Sequence, residues 1–541
     1  MEDAQAAPEA APEFVLEDQQ RLSHSFLWQV QRDFFDRKGV DAWRHGMVPC
    51  YVTSNPFIAR AYARVVFGFL RDCRAAPGSD FAAPDRSQPV YIVELGAGPG
   101  RFAFHFLREF FKMHARSMLR DVRVTYVMTD FTERNLEFWR AQPALQPFVA
   151  AGQLDFARFD AGQDRQFVLD RSGAVLSRET LANPLVVIAN YIFDTLPEDV
   201  FCVEDGQFYE GLLTVRAAQA QPDLTDPEEL GRLNVTCRFA PATTDYYGDA
   251  ELDALLEAYR QQLSNTTFLF PFAAMQCVRS LAQLSGHRLL LLAGDKAYSQ
   301  AQDLIAPWGL GLVLHDGCFS MTVNFHALGQ YVIRRGGRFL QTAHRHDSLN
   351  ICAFLLGQPP GDFVETRLAY ETAIEQGSPD DFFTLRGALE AHSDDLTLSQ
   401  ILAYLRLSGW DAENLGFCLA AIVKGLDQAT PPEREELYWA IQQVWDAYYP
   451  IGEDNDLALN LATLLFALEY YRDALGYIQH SLRMRGPDAG VIHNAGMCHY
   501  HLRELDAALE YFNQALALDP DLATARAMHI KVEAELGRQA R

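Results

Sequence analysis

The sequence predicts an α/β fold followed by an all-α domain, and three observations carry that expectation. From about residue 21 to about residue 360, short apolar strand-like runs alternate with helical patterns, as in a doubly wound sheet with helices on both faces. At one junction, VYIVELGAGPGRFAFHF (90–106), a strand runs into three alternating glycines and a helix begins at once. From about residue 361 the chain reads as successive helices, and a shift of 34 residues superimposes two of its segments.

Composition bounds the answer before any element is placed. A chain of 541 residues suggests two or three domains, and 49% hydrophobic with 12% aromatic residues is enough for full cores. The net charge of -25 argues against a nucleic-acid partner, which concentrated Lys and Arg would have to hold. The nine cysteines are scattered without a CxxC pair or zinc-ligand spacing, so they read as reduced thiols of a cytoplasmic protein. MEDAQAAPEAAPEFVLED lacks the basic start and apolar core of a secretory signal, and no apolar run approaches the ~18 residues of a membrane span. Residues 1–20 are expected to be a disordered tail, 21–360 the α/β domain and 361–541 the helical one.

The strand candidates come in order. VYIVEL (90–95), RVTYVMTD (123–130), LVVIAN (185–190) and HRLLLLAG (287–294) are apolar runs rich in branched residues. In DVFCVEDGQFYEGLLTV the pair Asp205-Gly206 signals a two-residue hairpin turn, and RLNVTCRF (232–239) follows as a further strand. In the helical part, ALEYYRDALGYIQHSL (467–482) aligns with HLRELDAALEYFNQAL (501–516), placing Ala474 over Ala508 and Ile478 over Phe512. A period of 34 belongs to tetratricopeptide repeats, clearest over 455–521. The second copy carries Gly496, Ala508, Phe512, Ala515 and Pro520; the first has Ala462 where the glycine would stand, and LATARAMHIKVEAEL (522–536) reads as the capping helix.

Glycines at a strand end let a ligand approach the backbone, and the helix that follows offers unpaired N–H groups. A dinucleotide site would want G-x-G-x-x-G, but here Arg101 stands in the place of the third glycine. The spacing E-x-G-x-G-x-G, from Glu94 through Gly96, Ala97 and Gly98 to Gly100, resembles motif I of class I S-adenosylmethionine-dependent methyltransferases. That resemblance implies a Rossmann-like sheet of seven strands. It also implies a bound S-adenosyl-L-methionine, with Asp130 accepting the ribose hydroxyls, Asp160 meeting the adenine amino group and Asn190 beside the reactive methyl.

Four segments narrow the resemblance to the MidA family, which includes the mitochondrial complex I assembly methyltransferase: GMVPCYVTSNPFIARAYARVVFGFL, IANYIFDTLPEDVF, HDGCFSMTVNFHALGQYVIRRGG and RFLQTAHRHDSLNICAFLLG. It spans roughly residues 45 to 357 and implies methylation of a protein arginine side chain. The chain departs from the family at Tyr191, where a glutamate is usual, and at Asn324, where an aspartate is usual. For an arginine acceptor a carboxylate must orient the guanidinium, and Asp194 is the first candidate and Asp316 the second, with Asn190 beside them. Asp194 also has a plain reading as a helix cap. His344 with His346, and His499 with His501 near Cys498, lack metal-ligand spacing, so no metal is expected. The repeats would recruit a protein or peptide substrate, or else pack on the enzyme domain or a second copy as a homodimer. Alternatives are a small-molecule or non-arginine acceptor, or a scaffold with a vestigial methyltransferase fold.

Overall fold

A computed structural model describes residues 14–74, 84–304, 312–314, 317–346, 348–357 and 362–539, and the chain divides into two compact units, Met1–Thr384 and Leu385–Arg541.

The first unit is built on a seven-stranded sheet. Its strands, in chain order, are β1 (Val90–Leu95), β2 (Val124–Asp130), β3 (Leu154–Arg158), β4 (Leu185–Asn190), β5 (Leu289–Asp295), β6 (Arg338–Leu340) and β7 (Asn350–Leu356). In space they run β6-β7-β5-β4-β1-β2-β3. The five from β5 to β3 are parallel, while β7 lies antiparallel to both β5 and β6. Every residue of β1 is buried, as a strand covered on both faces must be. On one face Pro56–Arg74 and Arg101–His114 supply aromatic rings; Phe106 packs on Tyr126 of β2 at 5.1 Å, and Tyr62 packs edge-on to Phe102. On the other face Tyr91, Val93 and Leu95 join a core with Leu255, Val278 and Leu328.

A second, antiparallel sheet grows from the loop after β4. The hairpin Asp199–Glu204 and Gln207–Ala217 turns at Asp205 and Gly206, whose φ values of 47° and 76° suit a tight primed turn. Thr266–Phe270 pairs with its first strand, and Asn234–Pro241 and Phe14–Arg21 pair with its second. The expectation of a disordered tail over residues 1–20 therefore does not hold from Phe14 onward. Phe14–Arg21 is held by ladder bonds to Gln207–Ala217, and Leu22, Leu27 and Trp28 seat just after it in a core with Val200, Leu213 and Val215.

The first unit also runs past the expected boundary at residue 360. The helix Val364–Tyr370 packs along Pro56–Arg74, and the buried Asp72 carboxylate accepts hydrogen bonds from Glu365 N–H (3.1 Å), Thr366 N–H (2.8 Å) and Thr366 Oγ1 (2.6 Å). Those bonds satisfy the free donors of that helix end and tie it to the sheet domain.

In the second unit the helices Leu398–Leu407, Ala412–Gly425 and Pro431–Asp446 precede Leu457–Ala467, Tyr471–Arg485, Ala489–His501, Leu505–Leu518 and Ala523–Gln539. Ala462, Ala474, Ile478, Ala508, Phe512 and Ala515 are all buried. At Gly496 the small-to-large packing is literal: a Cβ there would lie 2.6 Å from the Phe512 ring.

Candidate active site at the strand ends

The C-terminal ends of β1, β2 and β4 converge on the glycine turn. Gly96, Gly98 and Gly100 take φ values of 61°, 52° and 84°, and Gly100 leads into Arg101–His114 with no side-chain cap on the helix. A Cβ on Gly96 would stand 2.7 Å from Ile192, and one on Gly98 3.1 Å from the Trp43 ring, so both flanks close over bare backbone.

Two adjoining cavities open there. One, of about 300 Å³, is lined by Glu94, Gly96, Ala97, Gly98, Asn190, Tyr191 and Asp194 and roofed by Phe35, Trp43 and Met47. The other, of about 380 Å³, is lined by Phe131, Asp160, Gly162 and Ile192, with Arg32 across it. Gln31, Phe35, Gly96 and Thr195 line both.

The electrostatics are those of a desolvated floor. Burial pushes the Glu94 carboxyl up to about 8, against the pull of the Tyr126 hydroxyl that donates to it at 3.0 Å. Burial likewise raises Asp194 to about 7. Tyr62 donates to Asn190 Oδ1 at 2.8 Å, and Asn190 Nδ2 has no partner.

Residues 79–300 match a family model described as "Putative S-adenosyl-L-methionine-dependent methyltransferase", and residues 489–522 match the tetratricopeptide repeat model. Among solved structures the chain is similar to a Burkholderia thailandensis superfamily member bound to S-adenosyl-homocysteine, at 16% identity and TM-score 0.33, over 53% of this chain and 63% of that one. It is also similar to an O-methyltransferase family protein of the same organism, at 10% identity and TM-score 0.24, over 60% and 69% of the two chains. The chain thus spans less than two thirds of the first of these, and no curated protein matches it.

The cleft fits S-adenosylmethionine. The turn leaves room that a Cβ would fill, an uncapped helix start faces it, and the second cavity adds space beyond Gly96. Gly96, Ala97, Gly98 and Glu94 would hold the methionine and ribose portions, and Phe131, Asp160 and Ile192 the adenine. The bound cofactor supplies an electrophilic methyl; the chain's part is to bind, orient and exclude water.

Asp160 lines the second cavity and Asn190 and Asp194 the first, while two other expectations change. Asp130 lines neither cavity. Its carboxylate is spent within the fold, accepting from Gly98 N–H (3.2 Å), Thr132 N–H (3.1 Å) and Asn135 Nδ2 (2.8 Å), so it braces the glycine turn rather than facing a ribose. Asp194 is not a helix cap: it sits inside the short turn Phe193–Thr195, with its own N–H donating to Asp295. Asp316 lies outside the described residues. Asp160 carries an extra partner, since Arg32 Nη2 stands 2.6 Å from Oδ2 while its guanidinium stacks on Phe131 at 4.5 Å. Arg32, Phe35 and Trp43, all from the segment between Phe14–Arg21 and β1, are cleft residues that sequence reasoning missed. The only signal for Arg32 and Phe35 is an amphipathic run in LWQVQRDFFDRK, and Trp43 lies beyond that run. Among the described residues, no group of His, Cys, Asp and Glu is arranged to hold a metal ion.

Proposed function

We propose that the protein transfers a methyl group from S-adenosylmethionine to a protein or peptide side chain, an arginine nitrogen, brought to it by the tetratricopeptide repeats. The observation that carries this reading is Asp194, a 6% exposed carboxylate with Oδ1 unpaired, in the same cavity as the glycine turn. A guanidinium there would meet a charge-assisted acceptor in a desolvated pocket, which orients it toward the methyl. Asp194 would take the acceptor's proton. A repeat of helical hairpins is a usual support for peptide recognition, which makes the second unit the natural recruiting element. No described helix is long and apolar enough to cross a membrane, and we read the protein as cytoplasmic. A second reading rests on Asn190 Nδ2, an unpaired buried donor that suits an oxygen acceptor.

Incubating lysate with the protein and isotopically labelled S-adenosylmethionine, then locating the label by mass spectrometry, tests the assignment. Label on arginine nitrogen, reduced at least ~100-fold in Asp194→Asn, is expected. Label on oxygen, lysine or a small molecule would replace it.

A further inference from the structure

Behind Asp194 stand two more acids that this chemistry leaves unused. Asp295 ends β5, the strand paired with β4, and Glu198 follows Asp194 by four residues; both are 0% exposed. The Asp194 N–H donates to Asp295 Oδ2 at 3.3 Å, tying the two strand ends together. Asp194 Oδ1, Asp295 Oδ1 and both Glu198 oxygens have no hydrogen-bond partner. No cation figures among the groups acting on them.

The groups facing the trio do not neutralise it. Asp199 is already engaged, accepting from Ser23 N–H and the Tyr247 hydroxyl. Tyr62, Tyr191 and Tyr298 border Asp295 or Glu198 and are themselves pushed up by burial. The Lys296 side chain, next in sequence to Asp295, is exposed and lines the cavity. Three buried carboxyls without a cation cannot all ionise, because desolvation and like charge both hold protons on them. Burial raises Glu198 and Asp295 well above the ordinary carboxyl range, and Asp194 beside them raises each further. Groups so coupled titrate as one unit.

We propose that Asp194, Asp295 and Glu198 form a single proton-sharing unit, which releases protons to solvent when a cationic methyl acceptor enters the cavity and afterwards collects, through Asp194, the proton that the acceptor loses. The inference rests on the arginine reading above. In the transfer, the acceptor nitrogen's lone pair forms the new N–C bond as the C–S bond breaks and its electron pair returns to sulfur. The N–H proton passes to Asp194 Oδ1, and the methylated guanidinium keeps its single positive charge. Glu198 and Asp295 touch neither reactant; they are positioning residues that set how many protons Asp194 shares.

The test uses the full chain saturated with S-adenosyl-homocysteine and titrated with methylguanidinium, a cation that does not itself titrate near neutrality. Calorimetry in buffers of different ionisation heat counts the protons exchanged. Wild type should release protons on binding, with affinity rising about tenfold per pH unit across neutrality for each proton released. Glu198→Gln and Asp295→Asn should flatten that slope while still binding S-adenosyl-homocysteine. Binding that is independent of pH in the wild type, or an unaltered slope in both variants, overturns the proton-sharing unit and leaves the arginine reading standing. Absence of methylguanidinium binding overturns both. Should one variant fail to fold, the slope of the other against that of the wild type decides.

Discussion

Placing a single methyl group on Gly98 is the most direct perturbation of the cleft. Its φ of 52° lies in the left-handed region, where an L side chain costs roughly 1–2 kcal/mol. The new Cβ would also lie 3.1 Å and 3.2 Å from the Trp43 ring, so the indole that roofs the cavity must give by a few tenths of an ångström. That movement would disturb a turn held on both sides, by Gly98 N–H to Asp130 Oδ2 and by Trp139 Nε1 to Gly98 O at 2.9 Å. Gly98→Ala should therefore lose about 1–2 kcal/mol of stability and bind S-adenosyl-homocysteine at least ~10-fold more weakly, about 1.4 kcal/mol of affinity. Gly98→Val, bulkier at the same point, should not bind. Gly152 supplies the control: its φ is 68°, yet a Cβ there meets nothing within 4 Å. Gly152→Ala should lose similar stability and keep full affinity, since its strain is remote from the cofactor. Denaturant unfolding and calorimetric titration of the two alanine variants separate strain from steric exclusion. Equal affinity in Gly98→Ala and Gly152→Ala would refute the idea that the bare turn serves the ligand.

Further outcomes follow from the packing. Asp72→Asn removes the charged acceptor of three donors and should cost about 1–3 kcal/mol by denaturant unfolding. For the same reason, a chain ending at residue 384 should bind S-adenosyl-homocysteine, whereas one ending at residue 360 should melt lower, having lost Val364–Tyr370. Phe512→Ala empties the space beside Gly496 and should cost the helical unit about 3–5 kcal/mol, read from its unfolding transition. The Glu94 carboxyl is raised from 4.5 to about 8, so the folded state holds its proton more tightly than the unfolded one; its contribution is full below 4.5 and is lost as pH rises through 8. Thermal midpoints of Glu94→Gln should accordingly fall less than those of wild type over that range.

Much of the sheet was legible because its strands are buried on both faces and read as continuous apolar runs: 90–95, 185–190 and most of 123–130 and 287–294 match strands nearly residue for residue. Phe14–Arg21 was not legible, since a half-exposed edge strand among acids and glutamines has no such run, and only its pairing partner makes it a strand. The glycine turn was legible as bare backbone between a strand and a helix. Which lone pairs of Asp130 remain free was not, because Gly98, Thr132 and Asn135 reach it only in the folded chain. The roof of Phe35 and Trp43, and the meeting of Asp194 with Asp295 across a hundred residues of sequence, are likewise products of topology. Local pattern carries no trace of them.

The two departures from the resembled family look different once their surroundings are known. Asn324 is 0% exposed and lines neither cavity; its Oδ1 accepts from Ala327 N–H at 2.8 Å and its Nδ2 donates to Leu269 O at 2.9 Å. An ionised aspartate there could cap the helix Phe325–Arg334 but would turn a buried charge toward the Leu269 carbonyl, so the amide is the group this position requires. Tyr191 does line the cavity, yet its hydroxyl donates to Ser348 O at 3.2 Å and its backbone is held at φ 49° by an N–H bond to Gly294 O. Neither residue is left to compensate a cation. On the arginine reading, recognition of positive charge therefore falls to Asp194 with Asp295 and Glu198 behind it, and neutral side chains at 191 and 324 relieve rather than weaken that arrangement. Further carboxylates in the same low-dielectric floor would raise the proton affinity of the three already there, and so keep more of them uncharged when a guanidinium arrives.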